Sequence, residues 1–203
     1  MKKHNFSAGP CILPEEVLKK AAESVIDLEG SGLSLIEISH RSDAFVSIME
    51  KARHLVLELL DLEGKGYKVL FLQGGASLEF LMVAYNLLET SAGYINTGTW
   101  SEKAIKEAGM LGGVVEIASS KDENYNYIPK GYSVPEGLDY LHLTTNNTIY
   151  GTQFKKFPKT DTPLVADMSS DIFSRPMDYS KFDLIYAGAQ KNMGPAGTTL
   201  VVV

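Results

Sequence analysis

The chain reads as an α/β protein with a mostly parallel central sheet and helices on both faces, and three observations carry that reading. Short apolar runs suited to buried strands recur at residues 67–72, 92–97, 113–117, 140–144, 162–166 and 182–186. Stretches of helical spacing or polar loops lie between them, so strands alternate with crossovers as parallel sheets require. Small or polar residues follow the strands, as at Gly74-Gly75-Ala76-Ser77 and Gly98-Thr99-Trp100, where open α/β sheets place their ligands.

Composition sets the outer bounds. The 203 residues are 44% hydrophobic and 22% charged, with a net charge of −6, enough for one well-buried core and part of a second. The acidic balance argues against nucleic acid or an anionic membrane as a partner. Specific anion sites stay open, because they depend on local donors. Cys11 is the only cysteine, which excludes an internal disulfide and a cysteine-rich metal site. Met1-Lys2-Lys3-His4-Asn5 is basic, but no apolar segment follows, so it is not a signal peptide. No apolar run approaches the roughly 20 residues that cross a bilayer. The default expectation is a cytoplasmic, soluble protein.

The elements follow in order. Residues 1–15 form an N-terminal arm, with a loop at Phe6-Ser7-Ala8-Gly9-Pro10; residues 16–203 form one large domain. Pro14-Glu15-Glu16 starts a helix, with proline near the first position and acids in the first turn, and Val17, Leu18, Ala21, Val25 and Leu28 keep its spacing up to Gly30. Residues 33–39 are irregular or extended. Asp43 is the expected N-cap of a second amphipathic helix carrying Phe45, Ile48, Met49, Leu55, Val56 and Leu59. A strand over 67–72 leads through the turn 73–77 into a helix over 78–88. A strand over 92–97 leads through Gly98-Thr99-Trp100 into a helix over 101–110. Strands at 113–117, 140–144, 162–166 and 182–186 complete the series, with 119–137 as surface loop. The chain stops inside Thr198-Thr199-Leu200-Val201-Val202-Val203, a β-branched run with nothing after it. The expectation is an N-terminal part of a longer protein, whose last strand presents an uncovered apolar flank.

Several strand ends carry chemistry. Lys191 follows the run Leu184-Ile185-Tyr186-Ala187-Gly188, and Gly194, Pro195 and Gly197 forbid an immediate helix. A lysine there is either a solvated turn residue or an amine that loses solvation, drops in pKa and attacks a carbonyl to form a Schiff base. Gly74-Gly75-Ala76-Ser77, between strand and helix, is either a tight turn needing small residues or a set of free N–H groups for an anion. It matches neither the P-loop nor G-x-G-x-x-G. Asp167 ends an apolar strand, where a carboxylate needs a partner: a cap on Met168-Ser169-Ser170, a metal, or a protonated ring nitrogen. No His/Asp/Glu cluster accompanies it, so no metal site is expected. Trp100 is core or a stacking plate. Thr148 is a turn residue or a hydroxyl facing the same crevice. Arg41, beside His40, is a surface ion-pair partner or a fork for a carboxylate. Together, an anion cradle, an aromatic plate, a hydroxyl, an acid and a lysine follow five strands to one sheet edge. That is the set pyridoxal phosphate needs.

The motifs are also specific. Asn5-Phe6-Ser7-Ala8-Gly9-Pro10, Ser39-His40-Arg41-Ser42, Ala166-Asp167-Met168-Ser169-Ser170 with Ser174-Arg175-Pro176, and residues 186–197 (YAGAQKNMGPAG) resemble the phosphoserine aminotransferases, fold-type I pyridoxal-phosphate enzymes, over the whole chain. The resemblance implies that Lys191 carries the cofactor as a Schiff base and that Asp167 pairs with its ring nitrogen. It implies that Ala76, Ser77 and Gln190 hold the phosphate, Trp100 stacks on the ring and Thr148 bonds the ring edge. Arg41, with His40, occupies the family position that binds the substrate carboxylate. It further implies transfer of an amino group between glutamate and a phosphorylated 2-oxo acid, 3-phosphohydroxypyruvate, and a homodimer with the cofactor site at its interface. A small C-terminal domain would lie outside this chain. Ala76-Ser77 departs from members that have Gly-Arg, so this cradle lacks a cation. Alternatives are another fold-type I enzyme, of the alanine–glyoxylate aminotransferase or cysteine desulfurase type, or a catalytically incomplete fragment.

Overall fold

The computed structural model describes residues 3–203; Met1 and Lys2, at the start of the expected arm, lie outside the described residues. Seven strands form one sheet in the order β1-β7-β6-β5-β4-β2-β3. They are β1 (Val69–Leu72), β2 (Ser91–Asn96), β3 (Gly113–Ser119), β4 (Leu141–Thr144), β5 (Leu164–Asp167), β6 (Leu184–Gly188) and β7 (Thr199–Val202). From β3 to β6 all pairings are parallel, whereas β7 runs antiparallel to both β6 and β1.

The last strand therefore corrects one expectation. β7 is fully buried between two partners, and backbone bonds between Lys68 and Val203 (2.6 and 3.0 Å) continue its pairing with β1. It has no uncovered edge; the sheet edges are β1 and β3.

Side chains alternate across the sheet with the period of two that pleating imposes. Leu141, Leu143, Ala166, Ile185, Ala187, Leu200 and Val202 point to one core, which α2 (Asp43–Leu59) covers with Val56. Tyr140, Val165, Tyr186 and Val201 point to the other, under α3 (Gly75–Leu87) and α4 (Thr99–Ala108), which contribute Phe80, Val83, Ala84, Ala104 and Ala108. Helices thus lie on both faces. The first helix, α1 (Glu15–Ile26), buries none of its residues.

Helix starts differ from expectation at three places. Ser42, not Asp43, caps α2, its hydroxyl accepting from the Phe45 N–H at 3.4 Å. α3 begins at Gly75 and α4 at Thr99, each directly after a glycine at positive φ, Gly74 (+99°) and Gly98 (+148°). Gly75 is itself at positive φ (+67°), so two consecutive glycines turn the chain into α3, whereas Gly98 alone does so at α4. At Gly98 the close approach matters too, since a Cβ would lie 2.8 Å from the Tyr150 ring.

A buried polar group lies in the second core. His142 stacks on Tyr94 at 5.0 Å, and its Nε2 is 2.8 Å from the Tyr186 hydroxyl. Burial lowers its pKa from 6.5 to about 3. The unfolded chain takes up a proton near pH 6.5 that the folded chain refuses, so acid favours unfolding in this window. Between pH 6.5 and 5 the loss is about 2 kcal/mol, at roughly 1.4 kcal/mol per unit. Urea titrations across that range should show this slope, and His142→Gln, which cannot titrate, should lose it.

Candidate active site

The ends of β1, β2, β4, β5 and β6 open on one edge of the sheet, because all five run in the same direction. The chain delivers Gly74–Ser77, Trp100, Thr148, Asp167 and Lys191 there, one group from each strand.

Lys191, Thr148 and Trp100 touch directly. The Lys191 amine donates to the Thr148 hydroxyl at 2.9 Å and lies 4.5 Å from the centre of the Trp100 ring. The indole N–H of Trp100 donates to the same hydroxyl at 3.4 Å. Trp100 is half-buried in the first turn of α4 rather than in a preceding turn, and it packs against the edge of the second core. Its helix start is fixed by Ser101, whose hydroxyl accepts from the N–H groups of Thr97 (2.9 Å) and Gly98 (3.0 Å). Burial pulls the Lys191 pKa below its ordinary value, against the Asp167 charge that raises it.

Asp167 is 5% exposed at the tip of β5. Its Oδ1 accepts from the Ser169 N–H (3.0 Å) and hydroxyl (2.7 Å), so the capping contact forms on one oxygen. That leaves Oδ2 without a hydrogen bond among the described residues. Burial raises its pKa, while the Ser169 bonds and the Lys191 charge pull it down. Burial thus works against the charged form of both groups, and the charge of each partly offsets that for the other.

The third part is the α3 N-terminus. Gly74 has no side chain to cap it, so the first N–H groups of α3, those of Gly75, Ala76 and Ser77, are open to a ligand. Gly188 packs against this turn: a Cβ there would lie 3.4 Å from the Ala76 nitrogen and 3.1 Å from Gln190 Oε1. The Gln190 amide therefore borders the same space as the helix N-terminus. The Gln190 carbonyl accepts from the Cys11 N–H at 3.0 Å, which brings the N-terminal arm to the site.

His40 and Arg41 are exposed, and the Arg41 N–H bonds the Ser39 hydroxyl at 3.1 Å. Neither side chain contacts Lys191, Asp167 or Trp100 among the described residues. Gly188 is not among the predicted site residues, and Ser169 is predicted only as part of the segment that Asp167 caps. Ser169 had a local signal, since an Asp two residues before a Ser invites this turn. Gly188 had none, because its neighbours come from another strand. Chemically, the edge offers an anion cradle, an aromatic plate, an acid and a half-desolvated amine, a site for a planar anionic carbonyl compound.

Residues 3–203 match the family model for aminotransferase class V. The chain is 67% identical to a phosphoserine aminotransferase of Flavobacterium psychrophilum, covering all of this chain and 58% of that protein. Among solved structures, the phosphoserine aminotransferase of Bacillus circulans subsp. alkalophilus superposes with a TM-score of 0.94 at 47% identity, over 98% of this chain and 56% of the other. A PLP-bound phosphoserine aminotransferase from Trichomonas vaginalis superposes at 0.91 with 34% identity, over 100% and 58%. The chain spans about 58% of the length of the curated relatives it matches.

Proposed function

The chain belongs to the class-V aminotransferase family, and on that premise we propose that it is the N-terminal, cofactor-holding part of a phosphoserine aminotransferase. The enzyme would move an amino group between glutamate and 3-phosphohydroxypyruvate, giving O-phosphoserine and 2-oxoglutarate in serine biosynthesis. The contact of the Lys191 amine with Thr148 at 2.9 Å, beside Trp100 and within reach of the Asp167 charge, carries the reading.

The residues fit pyridoxal phosphate. The space kept open by Gly188, between the α3 N-terminus and Gln190, suits a phosphate, and the free Asp167 oxygen suits a protonated ring nitrogen. When bound, the cofactor supplies an aldehyde that condenses with amines and a ring that withdraws electrons. The chain's own groups do the rest. Ala76 and Ser77 N–H groups, with Gln190, bind the phosphate. Trp100 stacks on the ring and Thr148 orients its edge. The Asp167 carboxylate holds a proton at the ring nitrogen. Lys191 supplies the nucleophilic amine, and its lowered pKa lets it accept a proton from the substrate carbon and return it.

A cytoplasmic homodimer belongs to this reading. No helix of the described residues is long and apolar enough to cross a membrane. His40 and Arg41 are exposed, and among the described residues no hydrogen bond holds their side chains, which leaves them able to serve a substrate carboxylate at a subunit boundary. The alternatives among fold-type I enzymes lack support of this kind, since relatives at 57–67% identity are phosphoserine aminotransferases.

The test is a substrate comparison on the full-length protein. Glutamate with 3-phosphohydroxypyruvate should give O-phosphoserine, with alanine–glyoxylate exchange and cysteine desulfuration at background. Preference for either of those reactions would overturn the assignment. A smaller prediction concerns the cradle: Gly188→Ala places a methyl 3.1 Å from Gln190 Oε1. Cofactor affinity should fall about tenfold, or about 1.4 kcal/mol, and fluorescence titration of the apo-protein measures it.

A further inference from the structure

The turn that follows Asp167 is held from two sides. On one side Asn192, next to Lys191, donates to the Ile172 carbonyl at 2.6 Å, and the Gly188 N–H bonds the Ser169 hydroxyl at 3.0 Å. These fix the lysine's own turn. On the other side lies the loop 145–154, which carries Thr148.

That second contact centres on Asp171, a carboxylate only 3% exposed. It accepts from the Thr145 hydroxyl and from Gln153 Nε2 (3.1 Å), and Arg175 lies 3.7 Å away. The Arg175 guanidinium in turn donates to the Phe154 carbonyl at 2.7 Å. Both ends of the loop are thereby tied to one buried acid and its arginine. Ser170 adds bonds to the Asn146 side chain (2.9 Å) and carbonyl (2.8 Å). Inside the loop, bonds from Asn147 N–H to the Thr152 carbonyl and from Gly151 N–H to the Asn147 carbonyl, both 2.8 Å, keep it compact.

We propose that Asp171 and Arg175 are positioning residues: they clamp the 145–154 loop to the turn after Asp167 and so set Thr148 against the Lys191 amine. The proposal rests on the functional reading above for the importance of Thr148, but the clamp itself is a matter of this chain's contacts. A buried acid with three partners is worth more as a fixed hub than as a stabiliser, because its desolvation cost offsets much of its attraction. Neither residue meets substrate or cofactor.

Hydrogen exchange read peptide by peptide on the full-length apo-protein tests the clamp without any cofactor chemistry. In Asp171→Ala and Arg175→Met, amides of 145–154 should exchange about tenfold faster or more while β5 and β6 keep parental protection. Arg175→Lys, which keeps a cation and one donor, should restore most of that protection. Labelling of Lys191 by an amine reagent should accelerate in the first two variants, with Lys103 as the unchanged control. Unchanged exchange in 145–154, or an equal rise across the whole sheet, would overturn the proposal. If Asp171→Ala does not fold, the comparison of Arg175→Met with Arg175→Lys decides alone. A parent protein that takes up no pyridoxal phosphate would sink the functional reading and leave the clamp to be judged on exchange.

Discussion

Lys191→Ala is expected to abolish covalent cofactor attachment and to reduce transamination by at least about 10²–10⁴-fold, the range for a lost proton-transferring group. Among the described residues no second lysine replaces it. Lys103 is the other amine at the site, 4.9 Å from the Trp100 centroid, but it is exposed on α4 and has no contact with Thr148. The proposed phosphate cradle uses backbone and Gln190 rather than Lys191, so the variant should still bind the cofactor without a covalent bond. Equilibrium dialysis should therefore show retained binding, while the visible band of the attached cofactor is lost. A variant with the parental band and turnover would place the reactive amine elsewhere.

Asp167→Asn should leave attachment at Lys191 intact and slow the half-reaction with glutamate by about a hundredfold or more. An amide oxygen can still accept from Ser169, so the local turn survives. What disappears is the negative charge. Without it the ring nitrogen loses the group that keeps it protonated, and Lys191 loses the charge that raises its pKa, so the lysine should titrate lower in the variant. Stopped-flow absorbance with glutamate reads the first effect, and the pH dependence of Lys191 labelling by an amine reagent in the apo-protein reads the second. Equal half-reaction rates in parent and variant would reduce Asp167 to a capping residue.

Much of the site was legible because each group follows an apolar run. Lys191 after Leu184–Gly188 and Asp167 at the end of Leu164–Asp167 need only the rule that strand ends in open sheets carry ligands. Trp100 and Thr148 were placed by the same logic, although the indole proved to sit inside α4. Helix starts were less legible, since Gly74 with Gly75, and Gly98 alone, turn the chain directly into a helix where a longer turn was expected. The place of β7 was not legible at all. Its pairing with β1 joins distant parts of the chain, and no local pattern tells an interior antiparallel strand from a parallel one. For the same reason Gly188 and the Asp171–Arg175 pair escaped notice, because their roles depend on what other segments bring beside them.

On the proposed reading, Lys191 is the amine on which the cofactor is held. The most direct measurement is borohydride reduction of the full-length protein with pyridoxal phosphate, followed by peptide mass mapping. One reduced cofactor per chain is expected, on the peptide containing Lys191. No adduct, or an adduct on another lysine with Lys191 unmodified, would contradict it.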